Sequence, residues 1–217
     1  ALVAYSCADQ ERLQNLLPGK IVYRSPLNLI KESSVGILFE DFFVDKMVFI
    51  GHEAHAPNKD AVIWFIEEIY PQLSGFNKKL FMLGRWSKGF VSKYSKIHGV
   101  VFSGYVEDID NFIRNSINIA PIRLGGGGIR VKILLSISRG VPVVCTSKAC
   151  HGFDFVHGHN SMIAENSADF VSSISELLSN ADKAAELAKN AYQLYMENYS
   201  VALTTKIRDK VYSDLVS

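Results

Sequence analysis

Short runs of consecutive apolar residues alternate along the chain with stretches in which apolar residues recur every three or four positions. A short apolar run is typical of a strand buried on both faces, and the longer spacing is typical of an amphipathic helix. Strands of this kind belong to a parallel sheet that has helices on both faces. The pattern therefore predicts an α/β fold, a Rossmann-like doubly wound parallel sheet, over residues 46–180, with extra helices after it.

The predicted elements follow this alternation. The predicted strands cover residues 2–5, 21–23, 47–50, 80–83, 100–102, 119–122, 141–145 and 162–164. The predicted helices cover residues 9–17, 60–70, 90–96, 108–114, 129–139, 167–178, 182–196 and 201–215. We interpret Pro71 as the end of the second helix and Ser167 as the N-cap of the sixth.

Four predicted strands of the large sheet are followed by a glycine at or near their carboxyl ends. These glycines are Gly51, Gly84, Gly104 and Gly125. Ligands of open α/β sheets bind outside the carboxyl ends of the strands. We therefore expect these four loops to lie on one rim and to form the binding site.

The last of these loops is a run of four glycines that stands between a predicted strand and a predicted helix. Glycine lets the backbone turn sharply and approach a ligand closely, and the helix start presents unpaired N–H groups. Such a loop typically binds an anion, most often phosphate. Arg130 and Lys132 add two cations, although two solvated surface cations would look the same in sequence. The dinucleotide fingerprint fails, because its third glycine position is Arg130.

Composition narrows the classes of function and location. The chain has 217 residues, of which 48% are hydrophobic, and a net charge of +1. A balanced charge argues against a nucleic-acid partner. Three cysteines cannot form a disulfide framework, which favours a reducing compartment. Without an apolar run of membrane-spanning length, we expect a cytoplasmic protein.

The two ends of the chain do not form a domain by themselves. One strand–helix–strand unit at the start cannot enclose a core, and residues 26–45 show no clean period and are typical of a linker. Near the end, Tyr192, Tyr195 and Tyr199 form an aromatic stripe at helical spacing. Such a stripe is usually a packing face, but if exposed it would support a homodimer.

An ordered series of motifs carries a family resemblance. It consists of Val-Phe-Ile-Gly at 48–51, Pro-Asn-Lys-Asp-Ala-Val at 57–62, Phe-Ser-Gly-Tyr-Val-Glu-Asp at 102–108, Gly-Gly-Ile-Arg-Val-Lys-Ile-Leu at 127–134 and Gly-Val-Pro-Val-Val at 140–144. The chain resembles the C-terminal, donor-binding domain of a GT-B retaining glycosyltransferase of family 4, the glycosyl transferases group 1. The resemblance implies sugar transfer from a nucleotide-diphosphate donor, with retention and without metal or cofactor, in bacterial-type polysaccharide or glycoconjugate synthesis.

The resemblance also implies a domain organisation. Residues 1–25 would end the acceptor-binding N-terminal domain, 26–45 would be the linker, 46–180 the nucleotide-sugar domain, and 181–217 the helices that return toward the N-terminal segment. The chain would then be mostly the donor half, with weak or no activity alone. The acceptor, a glycan or a lipid-linked sugar, would bind elsewhere, and the whole enzyme would sit at the inner face of the membrane.

The family's site maps onto named positions. Gly51 and His52 would face the diphosphate, with Lys59 as the only candidate for the family's lysine and Arg85 on the same rim. The base pocket would be lined by Tyr105, Val106 and Glu107. The sugar and phosphates would be held by Gly125, Gly126, Gly127, Gly128, Ile129, Arg130 and Lys132.

Two departures support an alternative function. The family's paired glutamates fall at Gly127 and Leu135, and His52 stands where an arginine is usual. Losing a carboxylate that binds the ribose costs roughly 1.5–3 kcal/mol, or about tenfold to a hundredfold in affinity. The alternative is a non-catalytic interaction or regulatory module with a degenerate nucleotide site.

We predict no metal site. The His-Glu-Ala-His sequence at 52–55 is one residue short of the zincin spacing. His151, His157 and His159 would suit a metal, but surface loop histidines are the preferred interpretation. Asp108 and Asp110 are interpreted as the start of a helix.

Overall fold

The computed structural model describes residues 1–26, 30, 36–37, 39–126 and 128–216. The strands are β1 (Leu2–Ala4), β2 (Val22–Arg24), β3 (Lys46–Ile50), β4 (Lys79–Leu83), β5 (Val100–Gly104), β6 (Ser116–Ala120), β7 (Val143–Cys145) and β8 (Met162–Ile163). The α-helices are α1 (Cys7–Leu16), α2 (Ala56–Trp64), α3 (Lys88–Tyr94), α4 (Ile109–Ile113), α5 (Val131–Ile137), α6 (Ser167–Ser179), α7 (Ala181–Asn198) and α8 (Val201–Val216).

Strands β3 to β8 form one six-stranded sheet in the order β5-β4-β3-β6-β7-β8, and every neighbouring pair is parallel. This confirms the predicted doubly wound α/β fold. The chain builds outward from β3 toward β5, then returns to the other side of β3 with β6. The strand order therefore reverses between β3 and β6, which is the position where such sheets form a ligand-binding crevice.

The apolar runs are buried on both faces of the sheet, as predicted. Met47, Val48 and Phe49 in β3 are all 0% exposed although consecutive residues point to opposite faces. Phe49 belongs to a large apolar core, whereas Val48 belongs to a smaller cluster with Leu83, Ile113 and Val141. Helices on both faces thus hold β3 rigidly and fix the loop that follows it.

The helix after β3 is longer than predicted. It begins at Ala56 instead of residue 60, and after Trp64 it continues as a π-helical turn (Phe65–Ile69) and a 3₁₀ segment (Tyr70–Phe76). Pro71 does not end it, because this proline lies in the first turn of the 3₁₀ segment, where a missing N–H costs little. The segment ends at Asn77, which has a φ of 49°.

The predicted start of the fifth helix and the predicted cap of the sixth were wrong. Helix α5 begins at Val131, because Arg130 adopts an extended cap conformation with φ −85° and ψ 108°. Lys132 alone of the two predicted cations therefore lies in the first turn. Helix α6 is capped by Asn166, whose Oδ1 accepts from the Asp169 N–H at 2.9 Å. Ser167 instead contacts Glu68 through its hydroxyl at 3.0 Å.

The two ends of the chain meet. Strands β1 and β2 form a separate parallel pair, and Arg208 Nε of α8 donates to Ser25 Oγ at 3.2 Å.

Tyr195 and Tyr199 are 5% and 1% exposed, so the aromatic stripe packs within the chain and does not support the predicted homodimer. In the predicted linker, Ile30 and Val44 are buried. The proposed division into domains stays a prediction.

Within the described residues, no helix combines the length and the apolar character required to cross a bilayer.

Candidate functional site

A cavity of about 1290 Å³ opens at the carboxyl ends of β3, β4 and β5. The loops that follow these three strands form its walls. Predicted site residues that line it are Gly51, His52, Lys59, Arg85, Tyr105, Val106 and Glu107. Gly84 and Gly104 line it as well, so three of the four predicted glycine loops share one rim.

Two glycines allow the loops after β3 and β4 to pack closely. A Cβ atom at Gly51 would lie 2.7 Å from Asn58 Nδ2 and 2.9 Å from a ring carbon of Phe49. Gly84 has a φ of +108°, and a Cβ atom there would overlap the carbonyl oxygen of Gly51. The rim therefore requires glycine at both positions, because side chains would force the walls apart.

Glu53 joins two walls of the cavity. One carboxylate oxygen accepts from the Ser87 N–H at 2.8 Å, and the other accepts from Lys59 Nζ at 2.9 Å. The pKa of Glu53 is lowered to about 2, chiefly by a hydrogen bond with the Ser87 side chain, then by the bond from Lys59 and by that from the Ser87 N–H. Lys59 is thus paired with an acid inside the cavity rather than facing it as a free cation. The sequence indicated Glu53 only as part of a rejected zinc motif.

Aromatic side chains line the cavity at its floor and at its opening. Trp86 is 9% exposed and packs against Phe49, Phe90 and Phe102, with ring centroids 4.8–6.2 Å apart. Tyr105, in contrast, is 88% exposed. An apolar cavity floor with a few polar groups at the rim is the usual composition of a small-molecule site.

Lys132 and Asn58 connect the first turn of α5 to α2. Lys132 Nζ donates to Asn58 Oδ1 at 2.7 Å and lies 4.0 Å from the centre of the Phe49 ring. Burial, and to a lesser extent the nearby charge of Arg130, lowers the pKa of Lys132 to about 7. Asn58 also donates to the His52 carbonyl at 3.2 Å, which orients the loop after β3. Sequence reasoning missed Asn58, since periodicity does not show which way a polar helix residue faces.

The glycine run contacts a different part of the molecule from the first cavity. A Cβ atom at Gly125 would lie 3.1 Å from Pro57, and Arg130 Nη2 donates to the Gly126 carbonyl at 2.6 Å. Gly126 and Gly128 line a second cavity of about 470 Å³. Gly127 lies outside the described residues.

The other lining residues of the second cavity are Asp9, Arg12, Lys148 and His151. His151 Nδ1 accepts from the Gly128 N–H at 3.4 Å. Ile129 packs beside Gly152, where its Cδ1 would lie 3.1 Å from an added Cβ atom. Sequence reasoning did not predict that α1 and the loop after β7 line one cavity, because the two segments are far apart along the chain.

Leu135, at the position of the family's second glutamate, packs against both apolar clusters and is partly buried. It is not among the residues that line either cavity. The position therefore supplies apolar contact instead of a carboxylate.

Asp108 and Asp110 begin a helix, as predicted. Asp108 Oδ1 accepts from the Asn111 N–H at 3.1 Å and caps α4, while Asp110 pairs with Arg139 at 2.8 Å. In the part of the chain that the structure describes, no three His, Cys, Asp or Glu side chains lie close enough together to hold a metal ion.

Solved structures share this fold at low sequence identity. Staphylococcus aureus TarM, in a complex with fondaparinux, alpha-GlcNAc-glycerol and UDP, has a TM-score of 0.76 and 19% identity over 97% of this chain and 43% of its own. Anabaena HepE with UDP and glucose has a TM-score of 0.67 and 16% identity over 99% of this chain and 62% of its own. At these identities the likeness shows the fold alone.

A curated relative is the uncharacterized 44.6 kDa protein in the cps region of Klebsiella pneumoniae. It is 25% identical over 164 residues, which is 70% of this chain and 42% of the relative. The chain thus spans less than half the length of this relative and of TarM. The family model for glycosyl transferases group 1 matches residues 45–180, more than half of the chain. The chain therefore belongs to the glycosyl transferases group 1 family.

Proposed function

We propose that the chain binds a nucleotide-diphosphate sugar and serves as the donor-binding part of a glycosyltransferase that acts with retention and without metal. The observation that carries this proposal is the cavity of about 1290 Å³ at the carboxyl ends of β3, β4 and β5, next to the reversal of strand order. Ligands of doubly wound sheets bind at that position.

The cavity's groups suit the parts of such a donor. The base would lie near Tyr105, Val106 and Glu107, with the exposed Tyr105 ring available for stacking. The diphosphate would extend past Gly51 and His52 toward the glycine run, where Arg130 and Lys132 lie. Negative charge that develops on the leaving diphosphate would be met there by cations and backbone N–H groups held in place beforehand.

The comparisons support this donor class. TarM and HepE are both described in complexes with UDP, and HepE also with UDP-glucose. The location of the Klebsiella relative in a cps region supports polysaccharide synthesis. The acceptor is proposed to be a glycan or a lipid-linked sugar that contacts residues beyond the donor cavity.

Calorimetric titrations with UDP, GDP, TDP and ADP test the donor site. Preferential binding of one nucleotide is expected, since a shaped pocket distinguishes bases. Equal nucleotide affinities with and without magnesium are expected for a site that needs no metal. Failure of all four nucleotides to bind would contradict the proposal.

This chain alone is expected to show weak or no transfer. An assay of sugar transfer and donor hydrolysis checks this expectation, and robust turnover would contradict it.

A non-catalytic module is the second candidate, favoured by Leu135. Its apolar packing leaves no carboxylate where the family places one. Leu135→Glu distinguishes the two functions: tighter UDP binding supports a weakened donor site, and unchanged binding supports the module. Leu135→Gln is the control, because it introduces a polar side chain of similar size without the charge.

A further inference from the structure

The second cavity is lined by side chains from two separate parts of the fold. Asp9 and Arg12 come from α1, which belongs to the small β1–β2 unit. Lys148 and His151 come from the loop after β7 of the large sheet, and Gly126 and Gly128 come from the glycine run. The cavity is therefore formed where these three segments meet.

Within the part of the chain that the structure describes, two of these cations have no counter-ion at salt-bridge distance. Among the described residues, no carboxylate lies within 4 Å of Arg12 or Lys148. The single acid, Asp9, is already engaged, since it accepts from the Ser6 hydroxyl at 2.7 Å. Because like charges that face one cavity repel each other, an anion between them would stabilise both.

The position of His151 supports the same conclusion. Its Nδ1 accepts from the Gly128 N–H at 3.4 Å, so its ring lies against the glycine run. This contact holds the ring at the cavity wall, and its Nε2 has no hydrogen-bond partner among the described residues.

The second cavity is separate from the donor cavity. The two share no lining residue, and helix α2 connects them. Lys59 of α2 lines the donor cavity, Pro57 of α2 would lie 3.1 Å from a Cβ atom at Gly125, and Gly126 and Gly128 line the second cavity. A molecule in the second cavity would approach the glycine run without entering the nucleotide cavity. A second substrate needs such an approach.

We propose that Arg12, Lys148 and His151 form an acceptor subsite that recognises a phosphate or carboxylate group. This inference rests on the proposed glycosyltransferase function and names its acceptor class as anionic. Arginine and lysine make strong, charge-assisted hydrogen bonds with such groups. The donor's diphosphate offers the same chemistry, so the experiment must separate the two sources.

The test is an amide NMR titration of this chain with glycerol 1-phosphate, and separately with UDP. Glycerol 1-phosphate is expected to shift the amide signals of Gly126 and Gly128, whereas neutral glycerol at the same concentration leaves them unchanged. UDP is expected to shift Gly51, Gly84 and Gly104. In the Arg12→Ala/Lys148→Ala variant, glycerol 1-phosphate should bind about tenfold more weakly or worse, while UDP affinity should stay within about twofold.

Lys189→Ala is the control, because Lys189 is an exposed lysine on α7 away from both cavities. It should leave both affinities unchanged. Unchanged amide signals elsewhere show that the double variant is folded, which its exposed positions favour.

Three results would overturn the subsite. One is UDP binding without glycerol 1-phosphate binding, which leaves the donor proposal intact. Another is an equal loss of UDP affinity in the double variant, which assigns the cations to the donor's diphosphate. The last is glycerol 1-phosphate binding that the double variant does not weaken. Failure of both ligands to bind would overturn the subsite too, and it would overturn the donor proposal if GDP, TDP and ADP also fail to bind.

Discussion

Lys132 Nζ lies 2.7 Å from Asn58 Oδ1, so the first turn of α5 is tied to the helix that follows β3. The pair spans the point where the strand order reverses, between β3 and β6. The partner of Lys132 is a neutral amide instead of a carboxylate, and Lys132 Nζ lies 4.0 Å from the centre of the Phe49 ring. Lys132 is therefore a poorly compensated cation, which an incoming phosphate would stabilise.

The first prediction concerns stability and pH. The pKa of Lys132 falls from 10.5 to about 7 on folding, so between these values the unfolded chain binds more protons than the folded one. Unfolding free energy should therefore rise from pH 7 to pH 10, by at most about 1.4 kcal/mol per pH unit. Urea denaturation of the chain and of Lys132→Met checks this. The variant should lack this rise. If the unfolding free energies of the chain and the variant change in parallel with pH, the prediction is contradicted. Lys189→Met is the matched control.

Asn58→Asp should act on the same pair through charge. A carboxylate beside Lys132 favours its protonated form and should raise its pKa, so the rise in stability between pH 7 and pH 10 should shrink. Asn58→Ala should instead destabilise the fold by about 1–3 kcal/mol, because Lys132 and the His52 carbonyl lose their partner. Chemical denaturation of both variants at pH 7 and 9 distinguishes these two effects. Equal pH dependence in Asn58→Asp and the unmodified chain would sink the prediction.

Gly84→Ala should destabilise the chain by about 3 kcal/mol or more, because its φ is +108° and its Cβ atom would strike the Gly51 carbonyl. Gly89→Ala is the control. Gly89 lies within α3 with open space around its Cα, so alanine should stabilise by about 0.5–1 kcal/mol. Thermal denaturation measures both. A Gly84→Ala variant as stable as the unmodified chain would show that the two loops are not in close contact.

Glu53→Gln should lower stability at neutral pH, since Gln cannot form the ion pair with Lys59. The pKa of Glu53 is lowered from 4.5 to about 2, so its contribution is complete above pH 4.5 and is lost as the pH falls toward 2. The difference in stability between the chain and Glu53→Gln should therefore be constant from pH 5 to 7 and shrink below that. Glu107→Gln, in the same cavity, is the matched control. A difference that persists at pH 2 would argue against the bonds of the Glu53 carboxylate with Lys59 and Ser87.

Much of the fold follows from short-range pattern. The strand cores at 47–50, 80–83 and 100–102 were predicted because residues such as Val48 and Phe49 are apolar on both faces. The order of motifs indicated the family, which the match over residues 45–180 confirms. Helix ends were less predictable, because caps at Asn166 and Arg130 depend on backbone angles that several residue types adopt.

The site was predictable in its loops and less so in its contacts. Glycines after strands gave the rim, since that rule needs only strand ends. The pairing of Lys59 with Glu53 and the contact of Lys132 with Asn58 join residues from separate elements, and Arg12 and Lys148 from distant segments line one cavity. Such contacts depend on three-dimensional packing, which one sequence does not specify by spacing alone.

The most direct test of nucleotide binding in the donor cavity is an amide NMR map of the chain titrated with UDP. Binding at the carboxyl ends of β3, β4 and β5 predicts that the signals of Gly51, Gly84 and Gly104 shift together with one dissociation constant. Shifts confined to other parts of the chain, or no shifts at millimolar UDP, would contradict a UDP site in this cavity. GDP, TDP and ADP, titrated in the same way, then show whether another base takes its place.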